Sequence, residues 1–169
     1  MNANHRKNAG CILFLDFDGV THPDPCETDQ LFTQLPLIEE VLREFKTCKI
    51  VISSSWREAH PLDEMREYFS EDLQPRVLGM TPVHPVSRLH RVVEPPPAHH
   101  RQWECEKWLQ GNQVLLAQDW HAQAPWIAID DRPNWFQPDC LNLLATVTEF
   151  GFRADDAVRL HAMLKERLP

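Results

Sequence analysis

The stretch "CILFLDFDGVTHPD", residues 11–24, runs five apolar or near-apolar residues into a carboxylate, adds a Phe and then places a second carboxylate. A strand buried on both faces favours apolar side chains, and an ionised Asp is costly to take out of water. Asp16 and Asp18 therefore either find a compensating partner or sit where the strand has already reached solvent. Two later stretches end in a related way. "IVISSSW" (50–56) closes on three hydroxyls, and "WIAIDD" (126–131) closes on Asp130 and Asp131.

Short apolar runs alternate with segments of helical period, the signature of an α/β fold with a parallel sheet flanked by helices. The runs at 11–16, 49–53, 76–80, 126–130 and 141–147 read as strands. Ile38, Val41, Leu42 and Phe45 predict an amphipathic helix over 34–47, and Leu62, Met65 and Phe69 a second one opening at Pro61. "QWECEKWLQG" (102–111) reads as a helix closed by Gly111, and Asp155 or Asp156 as the cap of a last helix. Residues 1–10 read as a flexible N-terminus, 11–169 as one domain, and the proline-rich 81–101 as a long loop. In open parallel sheets ligands bind at the carboxyl ends of the strands. Four carboxylates and a serine cluster then converge on one edge, where like charges repel unless a cation neutralises them. Oxygen-only ligands select a hard ion, and Mg²⁺ is the natural choice.

At 169 residues, 43% apolar and 25% charged, the chain is in the ordinary globular range. Lys and Arg number 17 against 25 Asp and Glu, a net charge of −8 that gives no general affinity for phosphate backbones. A polyanion would need a local basic patch. Arg88, Arg91 and Arg101, with His90, His99 and His100 against Glu94, form one in the 81–101 loop. No apolar run reaches the length of a membrane span, and the polar N-terminus has no signal-peptide core. The five cysteines are scattered without CxxC pairs, which predicts reduced thiols in a cytoplasmic protein. No HxxxH or HExxH spacing points the nine histidines to zinc.

The order of these elements resembles the haloacid dehalogenase (HAD) superfamily of phosphohydrolases. "DFDGV" matches its first motif, DxDG; "IVISS" its second, a hydrophobic strand ending in Ser or Thr; "IAIDD" its fourth, a strand ending in paired acids. The flanks "SSSWRE", "DDRPNW" and "GFRADDA" look like the small capless subgroup whose relatives include domains of RNA-repair proteins, over roughly residues 11–167. "DDRPNW" also resembles a stretch in phosphatases of the RNA polymerase tail, although "DFDGV" departs from their first motif.

The resemblance implies a single Rossmann-like HAD-like domain without a large cap, and a Mg²⁺-dependent phosphomonoesterase working through an aspartyl phosphate. Asp16 would be the nucleophile, and Asp18 the general acid and then the base. Gly19 would allow the turn between them. The metal would be held by the Asp16 side chain, the Asp18 main-chain carbonyl and Asp131, with Asp130 behind it or bound through water. Ser54, with Ser53 as the alternative, would bind a phosphate oxygen. For the third-motif cation Arg101 fits best by position, with Lys107 as the alternative and Arg88 or Arg91 behind it. Roughly thirty residues separate the first two motifs, short of a cap domain of about fifty. An open site admits a phosphorylated substrate that is bulky or polymeric. Trp56 and Trp135 follow motif residues and either line the site for an aromatic leaving group or anchor the core. The rival expectation is a metal- or polyanion-binding module that has lost turnover and works with a nucleic-acid-repair partner.

Overall fold

β1 (Ile12–Leu15) is fully buried because it is the middle of a five-stranded parallel sheet. The computed structural model describes residues 10–84, 98–113 and 124–168. The other strands are β2 (Lys49–Ile52), β3 (Val77–Met80), β4 (Trp126–Asp130) and β5 (Leu143–Ala145), in the spatial order β3-β2-β1-β4-β5. The chain builds outward from β1 to β3, then returns to the other side of β1. The switch of direction falls between β1 and β4, where open sheets leave a crevice at their carboxyl ends. This is a Rossmann-like fold.

Alternation along each strand divides the core into two layers. Leu13, Leu15, Ile50, Ile52, Ile127 and Ile129 pack with Leu35, Ile38 and Leu42 of α1 (Leu35–Glu44), Met65 of α2 (Leu62–Arg66), and Leu160 and Leu164 of the last helix. Ile12, Phe14, Val51 and Ala128 face the opposite way, onto Cys105 and Trp108 of α3 (His100–Gly111) and onto Phe136. The strands are apolar throughout because both faces are covered.

The differences from the sequence reading are local. α2 stops at Arg66, and Phe69 enters the core from the turn beyond it. β5 is three residues long, and Leu141, assigned to it by hydropathy, is 85% exposed. α3 starts two residues early, so His100 and Arg101 belong to the helix and not to the loop. Gly111 is its last residue; Asn112 follows, donating its side-chain amide to the Trp108 carbonyl. The last helix, α4 (Ala154–Arg167), has Arg153 at its N-cap, and Asp156 accepts the Arg153 N–H from inside the first turn. Most of the expected flexible N-terminus and the middle of the proline-rich loop, residues 1–9 and 85–97, lie outside the described residues. Residues 20–48 are described in full and hold one 3₁₀ turn, Thr28–Gln30, and α1.

Arg76 shows how the edge of this frame is held. Its guanidinium is buried and donates to the carbonyls of Leu42 (2.7 Å), Phe45 (2.8 Å) and Cys48 (2.6 and 2.9 Å). These lie at the end of α1 and before β2; the Leu42 and Phe45 carbonyls each also accept one main-chain N–H, from Phe45 and Cys48, and Arg76 adds a second donor to each. Replacing Arg76 with Met should therefore lower unfolding stability by about 3 kcal/mol, because the Cys48 carbonyl loses both Arg76 donors and the Leu42 and Phe45 carbonyls lose their second one. Urea titration of the two proteins reads this directly.

Candidate active site

The ladder places the site before any side chain is considered. Leu15 pairs with Ile52 on one side and Ile129 on the other, so the next residues, Asp16, Ser53 and Asp130, come level at the sheet edge. The Ser53 N–H donates to the Leu15 carbonyl (2.9 Å), and the Asp16 N–H to that of Ile129 (3.1 Å), extending the register by one step. The chain then leaves β1 in a tight turn, with the Val20 and Thr21 amides donating to the Phe17 carbonyl.

Asp16, Asp130 and Asp131 are all buried and each offers a carboxylate oxygen within 4.8 Å of the others. Burial pushes the Asp130 carboxyl well up, and the Asp16 charge adds to it, against the pull of Arg101. Burial also raises Asp131, opposed by a hydrogen bond from the Thr148 hydroxyl (2.7 Å) and by the Arg132 charge. Asp130 Oδ1 accepts the Arg132 N–H, but Oδ2 is buried without a hydrogen-bond partner among the described residues. An all-oxygen acid cluster with an unmet buried oxygen is what a hard divalent cation satisfies. The residues present fit Mg²⁺.

Gly19 makes that cluster possible. It sits at φ +66°, and a Cβ there would lie 2.5 Å from Asp131 Oδ2. Conformation and space both call for glycine.

The first turn of α3 brings Arg101 to these acids. Arg101 is 3% exposed, with Nη2 3.8 Å from Asp16 Oδ2 and Nε 3.5 Å from Asp130 Oδ2. Burial works against its charge, but Asp16, Asp130 and Glu104 outweigh it and hold the guanidinium protonated. Its Nε and Nη1 are buried without hydrogen-bond partners among the described residues, and its Cζ lies 5.2 Å from the Trp135 ring centroid. Lys107, the alternative, is exposed on the same helix, with Nζ on Gln110 Oε1. Arg88 and Arg91 lie outside the described residues. Ser53 and Ser54 are both buried; the Ser54 hydroxyl accepts the Trp56 N–H (3.3 Å) and caps the turn Ser55–Glu58.

Asp18 is set apart. Its side chain is 40% exposed and lies outside the acid cluster. It accepts from His22 Nε2 (3.1 Å) and from Trp56 Nε1 (3.0 and 3.1 Å to its two oxygens). The His22 bond first, and then the Trp56 bond against the effect of burial, hold its carboxyl below the usual range.

With this geometry in hand, the comparisons place the chain. The family described as the HAD domain in Swiss Army Knife RNA repair proteins matches residues 12–157. The chain belongs to this family. No curated protein and no solved structure matches it. Membership of the HAD family points to phosphohydrolase-type chemistry, and among the described residues no helix is long and apolar enough to cross a membrane.

Sequence reasoning on this HAD domain missed the residues that support the motifs. Arg57 donates to Glu104 Oε2 (2.7 Å) and to the carbonyls of Ser53, Ser54 and Thr81. Glu104 also accepts the His84 N–H and stands 3.9 Å from Arg101 Nε. The signal existed, since "SSSWRE" and "RQWE" each put a charge beside a motif, but nothing in the sequence pairs them.

If the side chains of Asp16 and Asp131 hold the metal, with Asp130 behind them, adding Mg²⁺ should raise the melting temperature of the wild type, as any ligand of the folded state does. Asp131→Asn should abolish that rise, whereas Asp18→Asn should keep it. Scanning fluorimetry across a MgCl₂ series decides between these outcomes.

Proposed function

We propose that this HAD domain is a Mg²⁺-dependent phosphomonoesterase that works through a phosphoryl group carried on Asp16. One observation supports the reading above the others: the buried Asp16 carboxylate stands between an acid cluster suited to a divalent cation and a buried arginine with unused donors. A cation held by the first would offset the repulsion between the nucleophile and the incoming phosphate; the second offers N–H groups to phosphate oxygens.

Mg²⁺ would be held by the Asp16 side chain, the Asp18 main-chain carbonyl and Asp131, with Asp130 behind them, and would supply charge neutralisation and orientation of the phosphoryl group. Asp16 Oδ2 attacks phosphorus, and the bond from phosphorus to the leaving oxygen breaks as Asp18 gives that oxygen its proton. A water then surrenders a proton to the Asp18 carboxylate and attacks the phosphorus. The bond to Asp16 breaks, releasing inorganic phosphate and the free carboxylate.

Arg101 binds the phosphate throughout. The Ser54 hydroxyl, which accepts from Trp56, still has its own proton to donate to a phosphate oxygen, and Ser53 stands level with Asp16 as the alternative.

The leaving group faces out. Asp18, which marks that side, is the most solvent-exposed of the four acids, and the short 20–48 segment leaves no room for a cap domain there. This supports a bulky or polymeric phosphorylated substrate, and the RNA-repair context of the family makes a phosphorylated nucleic-acid end the first substrate to test. The rival reading, a binding module without turnover, drew on the unassigned third-motif cation. Arg101 at 3.8 Å from Asp16 supports the phosphatase reading over it.

With p-nitrophenyl phosphate and Mg²⁺, Asp16→Asn should lose at least ~10³-fold in kcat, as removal of a covalent nucleophile does. Equal rates for the two proteins would refute the assignment. Arg101→Ala should raise KM for the same ester and lower kcat, with the melting temperature measured in parallel.

A further inference from the structure

We infer that Trp56 and His22 are positioning residues for Asp18: together they fix its carboxylate at the leaving-group side of the site. The inference rests on the phosphatase reading above and adds to it the device that aims the proton donor.

An Asp side chain that is 40% exposed would ordinarily sample several rotamers. Here three contacts remove that freedom. The Trp56 indole Nε1–H is shared between Oδ1 (3.0 Å) and Oδ2 (3.1 Å), and His22 Nε2 stands 3.1 Å from Oδ1. Among the described residues Oδ1 receives two donors, whereas Oδ2 receives only its share of the indole proton. Oδ2 therefore keeps lone pairs for a proton moving to or from substrate, and the geometry assigns the exchange to that oxygen.

Both donors are themselves fixed. The Trp56 ring meets Phe17, Phe32 and Tyr68 edge to face at 5.9, 5.4 and 5.9 Å between centroids, and stacks on His60 at 5.3 Å. His22 is buried, and its Nδ1 accepts the Phe32 N–H (3.4 Å), which leaves the ring proton on Nε2 to face Asp18. The Thr21 hydroxyl lies 3.0 Å from the same Nδ1. The arrangement also joins motifs. Trp56 follows the serines of the second motif, and its amide is held by Ser54, so the proton donor and a phosphate-binding hydroxyl are aligned by one residue.

The test uses kcat/KM, which reports steps up to the first irreversible one, on two esters. p-Nitrophenolate leaves without help, whereas the alkoxide of glycerol 2-phosphate needs a proton. Trp56→Phe keeps a ring and deletes the N–H. It should lose roughly tenfold in kcat/KM on glycerol 2-phosphate, part of the ~10²–10⁴ that general acid–base catalysis supplies, and under about threefold on p-nitrophenyl phosphate. His22→Leu should behave likewise, and His22→Gln, which restores an N–H, should recover most of the loss.

A loss of equal size on both esters means a merely structural role and overturns the inference, as does Trp56→Phe matching the wild type. Independently of turnover, the indole N–H resonance missing from the Trp56→Phe NMR spectrum should shift in Asp18→Ala; an unmoved resonance also overturns it. Wild-type rates no higher than those of Asp16→Asn would sink the phosphatase reading and this inference together, an outcome distinct from the others.

Discussion

The carboxylates at the ends of β1 and β4 repel one another where water scarcely reaches, and much of the surrounding architecture answers that repulsion. Charge alternates away from the acids in a buried chain: Asp16 and Asp130, then Arg101, then Glu104, then Arg57, which ends on the carbonyls of Ser53, Ser54 and Thr81. Each ion in such a chain is tolerable only because the next is present, since the desolvation of one buried charge exceeds what a single neighbour returns. The chain also has a mechanical consequence. It ties the first turn of α3 to the end of β2, so Arg101 and the hydroxyl-bearing Ser53 and Ser54 are joined through one run of contacts.

Two aspartates only two residues apart occupy opposite environments. Asp16 is buried among acids and one arginine; Asp18 is half open to solvent and held by the ring N–H groups of His22 and Trp56. The turn at Gly19 separates them, and the same glycine leaves the space that Asp131 fills. A nucleophile needs an unprotonated oxygen close to a counter-charge, whereas a proton carrier needs access and a fixed orientation. Residue type is the same in both; their surroundings differ in the way those two proposed roles require.

The strands, their order of use and the acids at their ends were legible because each rests on a local pattern: an apolar run, a period, a turn residue. Element boundaries were less so. Leu141 was drawn into β5 by hydropathy although it faces solvent, and His100 and Arg101 were left in a loop because the prolines before them carry no helical period. That boundary bears on the third-motif cation, for which position in the sequence favours Arg101 and leaves Lys107 as the alternative. Both lie on α3, and only the packing of the helix turns the first onto Asp16 and the second into solvent.

The partners of Asp18 were not legible at all. Trp56 meets it from 38 positions further along the chain, and His22 could equally have been a surface histidine until the turn after Gly19 closed around it. The amino-acid sequence by itself determined a parallel α/β sheet whose strands deliver carboxylates to one edge, since hydropathy and turn chemistry act over a few residues. Only the tertiary structure decided which cation faces those acids and which N–H groups hold the exposed one. Those contacts depend on ladder register and helix rotation, which no short stretch of chain encodes.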